Sequence, residues 1–178
     1  RLGARVDTIG ADGVTPLHKA VEFGRARIVE ILVDEGANVD VVSSKNETAL
    51  CAAVAIEHVR TIKALLRLGA NPNVVCEKGY TPLINSRKAI ISDALIQHGA
   101  DVEARDSRPY YKGYTALLHA VGAGKPDLVR SLLKAGADIE VKTGAGNTPL
   151  FTNYPRVVEA LLAHGAEHSP VNNGGWTP

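Results

Sequence analysis

The sequence is poor in the features from which most functions are read. Its 20 Lys and Arg nearly balance its 19 Asp and Glu, for a net charge of +1. The basic stripe that tracks nucleic acid or an anionic membrane is therefore missing. No apolar run reaches the roughly 18 residues of a membrane-crossing helix, and the first residues hold no apolar signal core. The two cysteines, Cys51 and Cys76, stand apart with no CxxC motif or disulfide framework. That usage fits a reducing compartment, so cytoplasm or nucleus is expected.

Reactive constellations are equally scarce. His18, His58, His98, His119, His164 and His168 are scattered, and none forms the i, i+4 pair of a helical zinc site. His164 and His168 are four apart but straddle Gly165, which should end their helix. His98 and His164 each precede a helix-ending Gly, where a cation suits the helix dipole. Gly144-Ala145-Gly146 is not followed by Gly-Lys-Ser/Thr and reads as a connecting turn, not a phosphate loop. Nothing places a nucleophile beside a base. No catalytic residue, metal or cofactor is expected, and the chain does not read as an enzyme.

What is present is a repeat. Thr15-Pro16-Leu17-His18-Lys19-Ala20 returns, altered, from Thr48, Thr81, Thr115 and Thr148, and a further copy opens at Thr177. The steps between these threonines are 33, 33, 34, 33 and 29 residues. A second marker keeps step: Gly36-Ala37, Gly69-Ala70, Gly99-Ala100, Gly136-Ala137 and Gly165-Ala166. Two markers locked at such a period predict a solenoid. Thr followed by Pro is a helix start, because the hydroxyl caps an orphan amide and proline suits the first helical position. Before each Gly runs an apolar stripe, for example Leu128, Val129, Leu132 and Leu133, or Ile28, Val29, Leu32 and Val33. Glycine then takes the left-handed residue that stops the helix. Thr61 and Ser92 interrupt the stripe, so looser packing is expected in units two and three.

This pattern, a period near 33 with a T-P-L-H-x-A opening and an L-L-x-x-G-A closing, resembles the ankyrin repeat across essentially the whole chain. The resemblance implies an all-α solenoid of stacked helix-turn-helix units joined by β-hairpin-like loops. The units fall at about 10–42, 43–75, 76–109, 110–142 and 143–171, with partial repeats at 1–9 and 172–178. The incomplete ends predict a slice of a longer array, since solenoids need polar capping repeats. The family's His stands only at His18; Cys51, Ile84, Leu118 and Phe151 replace it. Unit one carries Gly13 and Gly24 at its turns, whereas unit two has Asn46 and Glu57 there, residues then expected at positive φ. Units three and five are short between their markers, so their first helices should be clipped, with Pro155 starting the last helix. Fraying is expected there.

Ankyrin resemblance also implies a protein partner, held by the turn tips and the concave face of the first helices, with no nucleic acid or membrane and a monomeric fragment. The tips carry most of the scarce aromatics. The partner-binding candidates are Lys78, Tyr80, Arg108, Tyr110, Tyr111, Lys112, Tyr114, Asn147 and Trp176, because aromatics and Arg make interface hot spots. Arg108, Tyr110, Tyr111 and Lys112 lie in a loop four residues longer than its counterpart, the kind of insertion that carries function. The structural alternative is that Tyr80 and Tyr114 merely pack on neighbouring turns. Tyr111→Ala with Arg108→Ala is expected to abolish binding with stability unchanged. Two further readings stand beside this one: a non-catalytic spacer or regulatory scaffold in a larger protein, and modification at Asn73, whose setting looks like the hydroxylated position of some ankyrin repeats.

Overall fold

The computed structural model describes residues 6–178. Most of the first partial repeat's marker, Leu2 to Arg5, lies outside them. The chain lays down nine α-helices among the described residues: α1 (Pro16–Glu22), α2 (Ala26–Asp34), α3 (Ala49–Ala55), α4 (Val59–Arg67), α5 (Pro82–Asn85), α6 (Ala89–Gln97), α7 (Ala116–Gly122), α8 (Pro126–Lys134) and α9 (Pro155–Ala163). They form two layers. First helices α1, α3, α5 and α7 pack in one row and second helices α2, α4, α6, α8 and α9 in the other. One isolated antiparallel bridge, Val42 to Thr48, is the only β pairing among the described residues.

The threonines start helices as their chemistry predicts, though by different means. Thr48 and Thr81 accept from the amides of Cys51 and Ile84. Thr15 instead bonds the Nδ1 of His18 at 2.9 Å. Thr148 starts no helix. The segment from Pro149 to Tyr154 makes one turn, Phe151 N–H to Thr148 C=O. Pro155 holds Tyr154 extended and leaves no room for a second turn. The first helix of unit five is thus lost, beyond the clipping expected, while α9 does start at Pro155. In unit three α5 keeps four residues, ending where Ser86 turns extended.

Turn chemistry follows the residues. Asn46 and Glu57 take φ of 56° and 58°, the left-handed positions that glycine fills elsewhere. Gly124 is needed twice over. Its φ is +63°, and a Cβ would sit 2.7 Å from the Tyr154 ring of the next unit.

The core is a strip shared between units. Val29, Ile62, Leu65, Ile91, Leu95, Val129, Leu132, Val157 and Leu161 are fully buried along the second-helix row. The stripe is less even than its spacing suggests. Ile28 is 47% exposed, because α2 packs against only one second helix among the described residues. Thr61 and Ser92, which interrupt the stripe, are both fully buried; the Thr61 hydroxyl has no hydrogen-bond partner among the described residues, whereas that of Ser92 does. Ser92 bonds the hydroxyl of Ser86 at 2.8 Å, and Ser86 donates to the Leu83 carbonyl. A polar clasp thus replaces an apolar contact just where α5 is short.

Bonds of three kinds tie neighbouring units together, not all of them at every joint. At the tips, Ser44, Ser107 and Asn173 amides donate to the carbonyls of Gly13, Gly79 and Ala145 in the preceding tip. At the opposite edge, the amides of Asn71, Asp101, Asp138 and Glu167 donate to Asp40, Asn73, Glu103 and Glu140 of the unit before, at 2.7–3.0 Å. Asn73 also donates from Nδ2 to the Gly99 carbonyl. Between these edges, the residue three beyond the opening Thr faces the next tip. In unit one it is His18, whose Nε2 lies 2.8 Å from the Glu47 carbonyl. In unit two it is Cys51, which is joined in a disulfide to Cys76 of the following tip.

The disulfide corrects the sequence reading. Twenty-five residues separate the two cysteines, and only the stacking brings them together. The case for a reducing compartment rested on their being unpaired, and that ground is removed. Reduction, or the Cys51→Ser, Cys76→Ser double substitution, is expected to lower unfolding stability by about 3.5 kcal/mol, from the entropy of the 25-residue loop. Denaturant titration with and without reductant checks it, and the double variant should no longer respond to reductant. Leu132→Ala, at a fully buried site, should cost roughly 2–5 kcal/mol in the same assay.

Candidate functional site

The longer loop between units three and four builds the most organised surface feature of the chain. Other tips close a hairpin over five residues, as where Cys76 N–H donates to the Tyr80 carbonyl. Here the same closure runs from Asp106 N–H to the Tyr114 carbonyl, and the four extra residues are held inside it. A 3-10 turn over Pro109–Tyr111 takes up the slack, and Gly113 N–H donates to the Asp106 carbonyl. Ser107 pins the loop to the previous tip, donating from both its amide and its hydroxyl to the Gly79 carbonyl.

Asp106 is the anchor. Its side chain has no exposed surface, and a buried carboxylate must be paired. Arg108 Nε donates to both carboxylate oxygens at 3.0 Å, and Nη2 donates to Oδ2. The Arg108 amide closes an Asx turn on Oδ1 at 2.9 Å. His119, from α7, lies 2.8 Å away through Nε2. The guanidinium is then clasped between rings, 4.8 Å from the Tyr80 centroid and 4.9 Å from that of Tyr111. Tyr111 and Tyr114 both lean on the His119 ring.

Electrostatics follow from that packing. Burial works to raise the Asp106 carboxyl, but hydrogen bonds from the Arg108 side chain and backbone and from His119 outweigh it, leaving the pKa below the usual 3.8. Arg108 is held charged by its bond to Asp106. Burial pushes His119 below its ordinary 6.5 despite the carboxylate beside it. A neutral imidazole that donates from Nε2 to Asp106 satisfies both observations.

The structure sorts the partner-binding candidates. Arg108, Tyr111 and Tyr80 come together, but Tyr80 is only 8% exposed and serves as the platform under Arg108. Tyr114 is half-buried against Tyr111 and His119. Tyr110 is 95% exposed and Lys112 and Lys78 are exposed beside this tip. Asn147 is engaged in holding the last tip, accepting from Asn172 Nδ2 at 2.8 Å. Trp176 is 73% exposed on that last tip, apart from the cluster. Asp106 and His119, which organise the loop, were not singled out from sequence. The Asp106-Ser107-Arg108 triplet is an Asx-turn signal, but that the acid is buried depends on Tyr80 and α7.

Two layers of short helices, tips joined by backbone hydrogen bonds and a Gly stop in every unit now stand together. Residues 2–76 and 57–143 match the family described as ankyrin repeats (3 copies).

The chain belongs to the ankyrin-repeat family.

Its fold is that of the crystal structure of the ankyrin repeat domain of Bcl-3, a member of the IkappaB protein family, with a TM-score of 0.87 at 26% identity. That likeness covers 99% of this chain and 81% of the other. Human protein phosphatase 1 regulatory subunit 27 is 37% identical over 70 residues, 37% of this chain and 46% of that protein. The tyrosine-protein kinase HTK16 of Hydra vulgaris is 32% identical over 102 residues, 53% of this chain but 12% of the kinase. The chain spans less than half the length of these curated relatives. Among the described residues no group of three or more His, Cys, Asp or Glu is gathered to hold a metal, and no helix is long and apolar enough to cross a membrane.

Two results test the ankyrin tip. The imidazole of His119, followed by NMR, should titrate with a midpoint below 6.5. Because the unfolded chain then binds more protons than the folded one, stability should fall as pH drops through about 6.5, and fall again as Asp106 protonates at still lower pH. Arg108→Ala leaves a buried carboxylate short of partners and should cost about 2–3 kcal/mol. The expectation of unchanged stability for the Tyr111→Ala, Arg108→Ala pair is corrected accordingly.

Proposed function

We propose that this ankyrin array is a protein-binding module that grips its partner with the tips and concave face around units three and four. The observation that carries the reading is the braced Arg108. Buried Asp106 and two tyrosine rings fix its guanidinium, with Tyr110 and Tyr111 exposed beside it. Holding an Arg and aromatic side chains rigid before binding removes an entropy cost that flexible surface side chains would incur. A regulatory subunit among the similar proteins supports a role in recruitment, and the module is read as non-catalytic.

A second reading has its own support. The match to HTK16 occupies 12% of that kinase, the pattern of a segment carried within a larger multidomain protein. In that case the array spaces or regulates a neighbouring domain and needs no separate partner.

Tip variants separate the two readings. Tyr110→Ala with Lys112→Ala removes exposed side chains and should leave the unfolding midpoint within about 0.5 kcal/mol of the parent. A protein captured from lysate by the parent and lost from this variant is the expected result. Capture that is indifferent to the tip, or no capture at all, favours the spacer.

A further inference from the structure

Beside the braced Arg108 the concave face opens into a pocket of about 250 Å³. It exists because α5 is short. Where another first helix would continue, the chain leaves at Ser86 in extended geometry, and the vacated space lies between Ile84, Tyr111, Ala120 and Leu128. The floor is apolar, but the rim is not. Arg87, Arg108 and Lys125 all line the pocket, and no Asp or Glu does. A second depression of about 280 Å³ shares Arg87, Lys125 and Leu128 along the start of α8 and adds Lys88 and Asp127, the latter paired with Arg130.

Two of the three cations lining the pocket have no acidic partner among the described residues. Arg87 and Lys125 are exposed, and neither side chain forms a salt bridge or hydrogen bond with a described residue. Arg108 uses Nε and Nη2 on Asp106, leaving Nη1 without a bond. The Asp106 side chain is fully buried and already balances the Arg108 charge, so Arg108 offers the pocket a directed donor more than an added charge. The pocket therefore presents two unpaired cations and one directed guanidinium donor over Ile84 and Leu128, with no Asp or Glu in its lining.

We infer that this pocket receives the carboxylate of an acidic peptide segment of the partner protein. Arg87 and Lys125 supply the attracting charge, Arg108 Nη1 supplies an oriented donor, and an apolar residue next to the acid lies on Ile84 and Leu128. The inference rests on the protein-binding reading and adds the chemistry of what is bound. A half-enclosed site over an apolar floor strengthens the attraction relative to open water, and oriented donors give specificity.

The probe is a fluorescent peptide of alternating Glu and Leu, with Gln/Leu and Lys/Leu peptides as controls, titrated against the whole chain. The Glu/Leu peptide should bind, weaken as salt is raised, and shift the amide resonances of Ser86, Ala120 and Lys125. Arg87→Ala with Lys125→Ala should weaken it about tenfold or more. Lys142→Ala with Arg156→Ala removes the same charge elsewhere and should not. Equal binding of the Gln/Leu peptide, no binding of the Glu/Leu peptide, or loss of affinity in both double variants alike overturns the inference. If the peptide fails while a captured protein still depends on Tyr110 and Lys112, the acidic-partner inference alone falls. If both fail, the protein-binding reading falls with it.

Discussion

The constraint on which everything else depends is that no unit can satisfy its own backbone or cover its own apolar stripe. A hairpin of seven- and nine-residue helices leaves amides at both edges without partners, and isolated helices of that length are marginal in water. The neighbouring unit answers both needs. Its edge carboxylate or, at Asn73, carboxamide takes one loop amide, its tip carbonyl takes another at three of the joints, and its helices close the core. Register follows from this, because a unit displaced along its neighbour would lose the tip bond, the edge bond and the buried leucines together. Stability is then largely a sum of unit and interface contributions.

That arrangement explains how the fold tolerates its irregular units. Unit three loses half of its first helix, and unit five loses the whole of it, without breaking the row of second helices. In unit three the Ser86–Ser92 clasp ties the shortened segment to α6. The same shortening opens the concave pocket, and the long loop beside it braces an Arg over that opening. Structural loss and surface chemistry thus occur at one place in the array.

Much of this was legible in the residues. Period, helix starts, Gly stops, the positive φ of Asn46 and Glu57, and the start of α9 at Pro155 follow from local rules of backbone geometry. What could not be read required knowing which unit faces which. Cys51 and Cys76 look unrelated along the chain, and become partners only when one unit lies on the next. For Tyr80 the residues left two roles open, contact with a partner or packing on the neighbouring turn, and only Arg108, 28 residues on, closing over the ring decides for packing. The edge ladder left a signal that local reading passes over. Asn or Asp follows Gly-Ala at Asn38, Asn71, Asp101 and Asp138, and the residue two further on, Asp40, Asn73, Glu103 or Glu140, accepts from the next unit. The Ser86–Ser92 bond was hidden in the same way: a hydroxyl interrupts an apolar stripe, and its partner across the turn becomes visible only once α5 ends at Asn85.

The amides of the edge ladder give the most direct test of the stacking. Asn71, Asp101, Asp138 and Glu167 lie in solvent-exposed connections, outside every helix, so nothing within their own unit protects them. Hydrogen exchange measured residue by residue should find these four amides slowed well below the rate of an open loop, because each is bonded to a side chain of the preceding unit. Exchange at open-loop rates, with the helices still protected, would contradict the in-register stacking from which the rest of the structure follows.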